Sequence, residues 1–96
     1  MRVTDRIARR LRIHGRVQGV WYRAWTLETA QRLSLDGWVR NRIDGTVEAL
    51  AVGSAEAIEK LIAACHEGPP AAKVERVEVE VARGIVRRGF TKKPTV

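Results

Sequence analysis

One cysteine in 96 residues, Cys65, excludes an internal disulfide and a cysteine-rich zinc site. Histidines number two, and no carboxylates or histidines cluster at metal-ligand spacing, so no metal site is expected. Aromatic residues are also scarce: three tryptophans, one tyrosine and one phenylalanine. No apolar run approaches the ~20 residues of a membrane span. The opening Met1-Arg-Val-Thr-Asp-Arg6 has no apolar stretch, so no secretory signal is expected, and the expected setting is the cytoplasm. Internal repeats, low-complexity tracts and linkers are absent. Acid is outnumbered, 11 residues to 18 basic ones, for a net charge of +7. That surplus fits nucleic acid, an acidic membrane or a small anion, and does not choose among them.

What remains is 30% charged and 45% hydrophobic, an ordinary balance for one folded domain over residues 1–96, the first five expected to fray. Leu11, Ile13, Gly15 and Val17 alternate with Arg10, Arg12, His14 and Arg16, which predicts a half-buried strand over about 8–17 with its arginines solvated. Tyr22, Trp25, Thr26, Thr29, Ala30 and Leu33 then recur at helical spacing up to about Ser34, with Asp36-Gly37 closing the connection. A short strand from Gly37 or Trp38 to Asn41 meets the hairpin signal Asp44-Gly45. The returning strand, 46–52, shows Val47, Ala49 and Ala51 on one face, and Gly53-Ser54 breaks it. Ser54 caps a second helix carrying Ile58, Leu61, Ile62 and Cys65, which Gly68-Pro69-Pro70 stops. A fourth strand over 73–81 alternates Val77, Val79 and Val81 with Glu78 and Glu80. A basic turn over 83–89 follows, and Phe90 opens a short last strand.

The order βαββαβ predicts an α+β, ferredoxin-like sandwich: an antiparallel sheet with two helices on one face. The fourth strand then pairs with the first, setting Glu78 and Glu80 beside its arginines and neutralising much of that face.

Between the first strand and helix lies the turn Gly15, Arg16, Val17, Gln18, Gly19, Val20, Trp21, Tyr22, closed by Arg23. A helix opening here leaves its first N–H groups unpartnered and carries partial positive charge, which suits an anion. Gly15 and Gly19 remove side chains that would hold a phosphate away, and the Arg23 guanidinium offers a planar fork for two phosphate oxygens. The turn reads as a phosphate cradle. By itself it reads equally as a tight connection whose glycines serve only the bend. It is neither a Walker loop nor a dinucleotide fingerprint.

Gly15-Arg-Val-Gln-Gly-Val-Trp-Tyr-Arg23 closely resembles the first signature of the acylphosphatase family. Gly37-Trp-Val-Arg-Asn-Arg-Ile-Asp-Gly-Thr-Val47, with Gly53 six residues on, resembles its second. Tyr22 stands where the family usually has phenylalanine, and Phe90–Val96 matches the last strand only loosely. The resemblance implies hydrolysis of small-molecule acyl phosphates to carboxylate and phosphate without a metal or cofactor; nothing in the sequence requires more than a monomer, which is the expected state. It also implies that Arg23 binds phosphate, Asn41 orients the attacking water and a substrate oxygen accepts the proton. The chemistry fits those residue types. A carboxylate leaves without a proton, so the enzyme has to hold the phosphoryl group, offset its charge and aim a water. An uncharged amide aims water without repelling phosphate.

Several residues carry a plainer reading beside a functional one. Asn41 precedes a turn, where asparagine is common for structural reasons. Gln18 is assigned loop geometry, pointing into the cradle or to solvent; Gly45 and Gly53 are assigned turns needing positive φ. Trp21 either covers the acyl group or packs. His14 is expected to be solvated, His66 suits a helix end, and Cys65 is a small core residue. Trp38 is expected on the exposed sheet face with Leu50 and Val52. Two rivals stand against the hydrolase: an RNA-binding module and an accessory domain that binds acyl or carbamoyl phosphate. Nucleic acid is not expected, because the first and third strands carry no Phe or Tyr for base stacking.

Overall fold

The computed structural model describes residues 6–83 and 86–96, so the fraying expected at residues 1–5 and part of the basic turn lie outside the described residues. The elements run β1 (Arg6–Arg16), α1 (Tyr22–Arg32), β2 (Asp36–Asn41), β3 (Val47–Ser54), α2 (Ala55–Glu67), β4 (Lys73–Val81) and β5 (Phe90–Lys92). The sheet order is β4-β1-β3-β2-β5. Four strands form the antiparallel ferredoxin-like core, and β5 joins β2 in parallel, which makes the sheet mixed rather than wholly antiparallel. The parallel pairing follows from the connection: β5 arrives from the far edge strand rather than by a hairpin.

Parity decides the core. Leu11 and Ile13 of β1, Val39 of β2, and Val47, Ala49 and Ala51 of β3 are all fully buried on one face. Tyr22, Thr26 and Ala30 of α1 and Ile58, Leu61 and Cys65 of α2 complete this layer. Each large side chain so covered contributes about 1.5–3 kcal/mol. The Ser54 hydroxyl caps α2 by accepting from the Ala57 N–H at 3.1 Å. The end of α1 is made differently from the expectation. Ser34 takes φ 58, the Leu35 N–H reaches the Ala30 carbonyl at 2.9 Å, and the Ser34 N–H reaches that of Gln31 at 3.0 Å. This is a Schellman closure with serine where glycine is usual, and Asp36-Gly37 belongs to β2.

The pairing of β4 with β1 sets Arg10 opposite Glu80 and Arg12 opposite Glu78, but the ion pairs form elsewhere. Glu48 of β3, buried at the centre of the open face, accepts from Arg40 at 2.8 Å and Arg42 at 2.9 Å and lies 3.6 Å from Arg10. Arg12 turns to Asp44 at 3.3 Å. Glu78 is taken by His14, which is therefore hydrogen-bonded rather than solvated. Arg16 is exposed. Trp38 is half-buried, with the Arg40 guanidinium 4.6 Å and the Lys93 ammonium 5.0 Å from its ring centre, and Leu50 beside it is buried. Gly53 is no turn residue. It lies within β3 opposite Ile7, and a Cβ there would come within 2.5 Å of Leu35 Cδ2.

Candidate active site

Between β1 and α1 the chain makes a short loop anchored by two buried side chains, Val17 and Val20. Gly19 takes φ 73 and Trp21, the residue before the helix, takes φ 67 with no side-chain capping bond. Two left-handed residues so close turn successive N–H groups to one side, the geometry of an anion nest. From Gln18 to Arg23 no backbone N–H donates to another protein group among the described residues. No acid stands in the first turn of α1 to compete for them.

The Gln18 side chain points neither into the cradle nor to solvent. Its amide donates to the Arg42 carbonyl at 2.7 Å and to the Thr46 carbonyl at 2.9 Å, tying the loop to the β2–β3 turn. That turn is itself rigid: the Asp44 carboxylate accepts from the Thr46 hydroxyl at 2.7 Å and the Thr46 N–H at 3.0 Å. These bonds, with Arg12 and Arg42 nearby, hold the Asp44 carboxyl below its ordinary pKa.

Asn41 ends β2 on the same face as Val39, opposite Val47. Its backbone is held from the other side as well, where the Val96 N–H reaches its carbonyl at 3.3 Å. The two loops thus meet around a cleft of about 320 Å³ lined by Val17, Gly19, Trp21, Tyr22, Arg23, Ala24, Asn41 and Lys92. Arg23 makes no ion pair among the described residues. The Asn41 side-chain oxygen is buried without a hydrogen-bond partner. A buried acceptor left open costs free energy unless water or a ligand donates to it, so this oxygen is poised to receive a hydrogen bond. Arg23 and Lys92 give the lining two cations and no acid.

The sequence-predicted residues divide. Val17, Gly19, Trp21, Tyr22, Arg23 and Asn41 line the cleft, whereas Gly15, Arg16, Gln18 and Val20 do not. Gly15 serves another purpose. It sits at φ 124 where the β1–β4 register shifts, and a Cβ would strike the Lys73 carbonyl oxygen, so its missing side chain makes room for β4 and not for a phosphate. At Gly19 a Cβ would meet nothing within 4 Å, and its left-handed φ is the reason for glycine. Trp21 is 81% exposed at the cleft rim and is no packing residue. Tyr22 is buried, and its hydroxyl donates to the Cys65 carbonyl at 2.6 Å. Burial, then the Cys65 contact, pushes the phenol well above its usual range, so it stays protonated. Lys92 was not among the expected residues. Its signal was parity with Phe90, two positions earlier and buried on the same face.

A family model for acylphosphatase matches residues 9–92. A protein named acylphosphatase from Rhizorhabdus wittichii is 59% identical over 92 residues, covering 96% of this chain and 93% of that one. Another of that name, from Acidovorax sp., is 60% identical over 90 residues, covering 94% and 93%. The solved structure of an acylphosphatase from Coxiella burnetii superposes with a TM-score of 0.90 at 32% identity, covering 94% of this chain and 95% of its own. With two signatures, the fold and these relatives in agreement, the chain belongs to the acylphosphatase family.

Proposed function

We propose that the cleft hydrolyses the carboxyl–phosphate bond of small acyl phosphates, with Arg23 and the loop N–H groups holding the phosphoryl group and Asn41 orienting the water. The observation that carries this reading is the pairing, in one acid-free cleft, of a guanidinium without a carboxylate partner and a buried amide oxygen without a donor. The guanidinium and the nest of N–H groups are donors only, matched to phosphoryl oxygens and to the charge that spreads over them in the transition state. The Asn41 oxygen accepts a hydrogen bond from the water and leaves a lone pair of the water free to attack phosphorus in line with the departing carboxylate. A substrate oxygen takes the one proton the water gives up on attack, because the cleft lining offers no carboxylate or histidine to take it and the leaving group requires no acid. Lys92 at the rim adds a positive charge that draws the anion in. The acyl group extends past Trp21. The enzyme works as a cytoplasmic monomer of one domain and needs no cofactor.

Benzoyl phosphate hydrolysis by the wild type, Arg23→Ala and Asn41→Ala tests this. The arginine change is expected to raise KM and lower kcat, with kcat/KM falling on the order of a thousandfold. The asparagine change is expected to lower kcat about a hundredfold while inorganic phosphate still inhibits as in the wild type. Undiminished rates in both variants refute the assignment.

A further inference from the structure

The helices cover one face of the sheet, and the other is left to charged side chains. On that open face a second cleft, about 520 Å³, lies between Trp38, Leu50 and the described residues 83 and 86–89 that follow β4. Arg10, Arg83, Arg87, Arg88 and Lys93 line it, and no acid does. The sequence from Val81 to Val96 carries these last four cations and Lys92 without one acidic residue, so much of the +7 surplus collects here. Arg10 is partly committed to Glu48. Arg83, Arg87, Arg88 and Lys93 make no ion pair among the described residues. Asp36, which feels the Arg88 charge, is already held by Arg6 and by the Gly89 N–H.

Like charges gathered around one concavity repel each other, and an anion of matching length relieves that repulsion. One phosphate is satisfied by one or two guanidinium forks, as in the catalytic cleft. Four cations without a carboxylate partner among the described residues, Lys93 resting over the Trp38 ring, surround a larger opening and match several linked phosphates. We propose that this cleft binds an oligophosphate chain of about triphosphate length, either free or carried by a nucleoside. In the nucleoside form the base meets the exposed part of the half-buried Trp38 ring. Trp38 and Asn41 point to opposite faces of β2, so this cleft and the catalytic one are separate and fill independently. The proposal goes beyond acyl phosphate hydrolysis and does not depend on it.

Calorimetric titration of the full chain with inorganic triphosphate and with ATP, at low salt and without divalent cations, tests it. Both ligands are expected to bind, and added KCl to weaken them. Arg83→Gln/Arg87→Gln is expected to reduce affinity about tenfold or more while benzoyl phosphate hydrolysis and the thermal midpoint are kept, which shows the fold intact. Arg23→Ala, which removes phosphate binding in the catalytic cleft, is expected to keep the binding that Arg83→Gln/Arg87→Gln loses. Tighter binding of ATP that Trp38→Leu reduces to the triphosphate value identifies the nucleotide as the source. Equal binding of the two identifies the free chain. No binding by the wild type overturns the proposal, as does binding lost in Arg23→Ala but kept in Arg83→Gln/Arg87→Gln.

Discussion

The Gln18 side chain hands its amide hydrogens to the Arg42 carbonyl at 2.7 Å and to that of Thr46 at 2.9 Å, across 24 and 28 residues of sequence. The loop that presents Arg23 and the strand that ends in Asn41 are therefore located by one side chain that lines no part of the cleft. Gln18→Ala removes two part-buried hydrogen bonds, about 2 kcal/mol of stability. It is also expected to lower kcat/KM for benzoyl phosphate at least tenfold, because misplacing the reacting groups by a fraction of an ångström is costly. Gln18→Glu is expected to be worse, since a carboxylate facing two carbonyls cannot donate. Urea melts and steady-state kinetics check both; stability loss with kcat/KM unchanged removes the positioning role.

Tyr22 and Cys65 form a second long-range pair with a different purpose. The helical partner of the Cys65 carbonyl would be the N–H of residue 69, but Pro69 has none. The Tyr22 hydroxyl fills that place, which explains tyrosine where the family usually has phenylalanine. Tyr22→Phe is expected to cost about 1–2 kcal/mol in denaturant unfolding and to leave kcat and KM within about twofold.

Trp21 combines a left-handed backbone with an 81% exposed side chain, a strained conformation with no packing to repay it. Trp21→Gly is expected to be about 1 kcal/mol more stable than Trp21→Ala, because only glycine takes that φ without penalty. Both variants are expected to lower kcat/KM for benzoyl phosphate more than for acetyl phosphate. A benzoyl-to-acetyl ratio equal to that of the wild type rules out contact with the acyl group.

Glu48 predicts the acid limb of stability. Burial opposes its ionised form, but the hydrogen bonds and charges of Arg40 and Arg42 outweigh burial and hold its pKa below the ordinary 4.5. A carboxyl with a lowered folded pKa contributes fully above its unfolded value and loses that contribution as pH falls through the folded one. Unfolding free energy is therefore expected to decline as pH drops below about 4.5, more shallowly in Glu48→Gln. At neutral pH that variant is expected to lose about 2 kcal/mol, less than for a fully buried pair because the arginines turn to water. Chemical melts from pH 7 to pH 3 measure both; parallel curves for the two proteins contradict the assignment.

The alternation in β1 and β3 and the apolar spacing of the helices were plain in the sequence, because period and parity survive any tertiary context. Charge partners were not. Glu80 and Glu78 stand opposite Arg10 and Arg12 in register, yet it is Glu48 of β3 that gathers Arg10, Arg40 and Arg42 at the buried centre. Glycine was legible as a need but not as a reason: Gly15 and Gly53 avoid backbone and side-chain collisions with β4 and Leu35, which only the assembled sheet reveals. The role of Gln18 stayed hidden because its partners are carbonyls, which every residue has. Lys92 was within reach of parity once Phe90 was taken as inward-facing.

On the side of the sheet remote from β5, β4 pairs with β1 alone among the described residues. Such a margin is a template for fibril growth or for stacking of two copies. Two β4 strands meeting antiparallel would bring the row Arg76, Glu78 and Glu80 of one against the same row of the other, two acids to one arginine on each, while exposed Val79 and Val81 offer little greasy area in return. The strand thus defends its own edge, and neutralising Glu78 and Glu80 removes that defence.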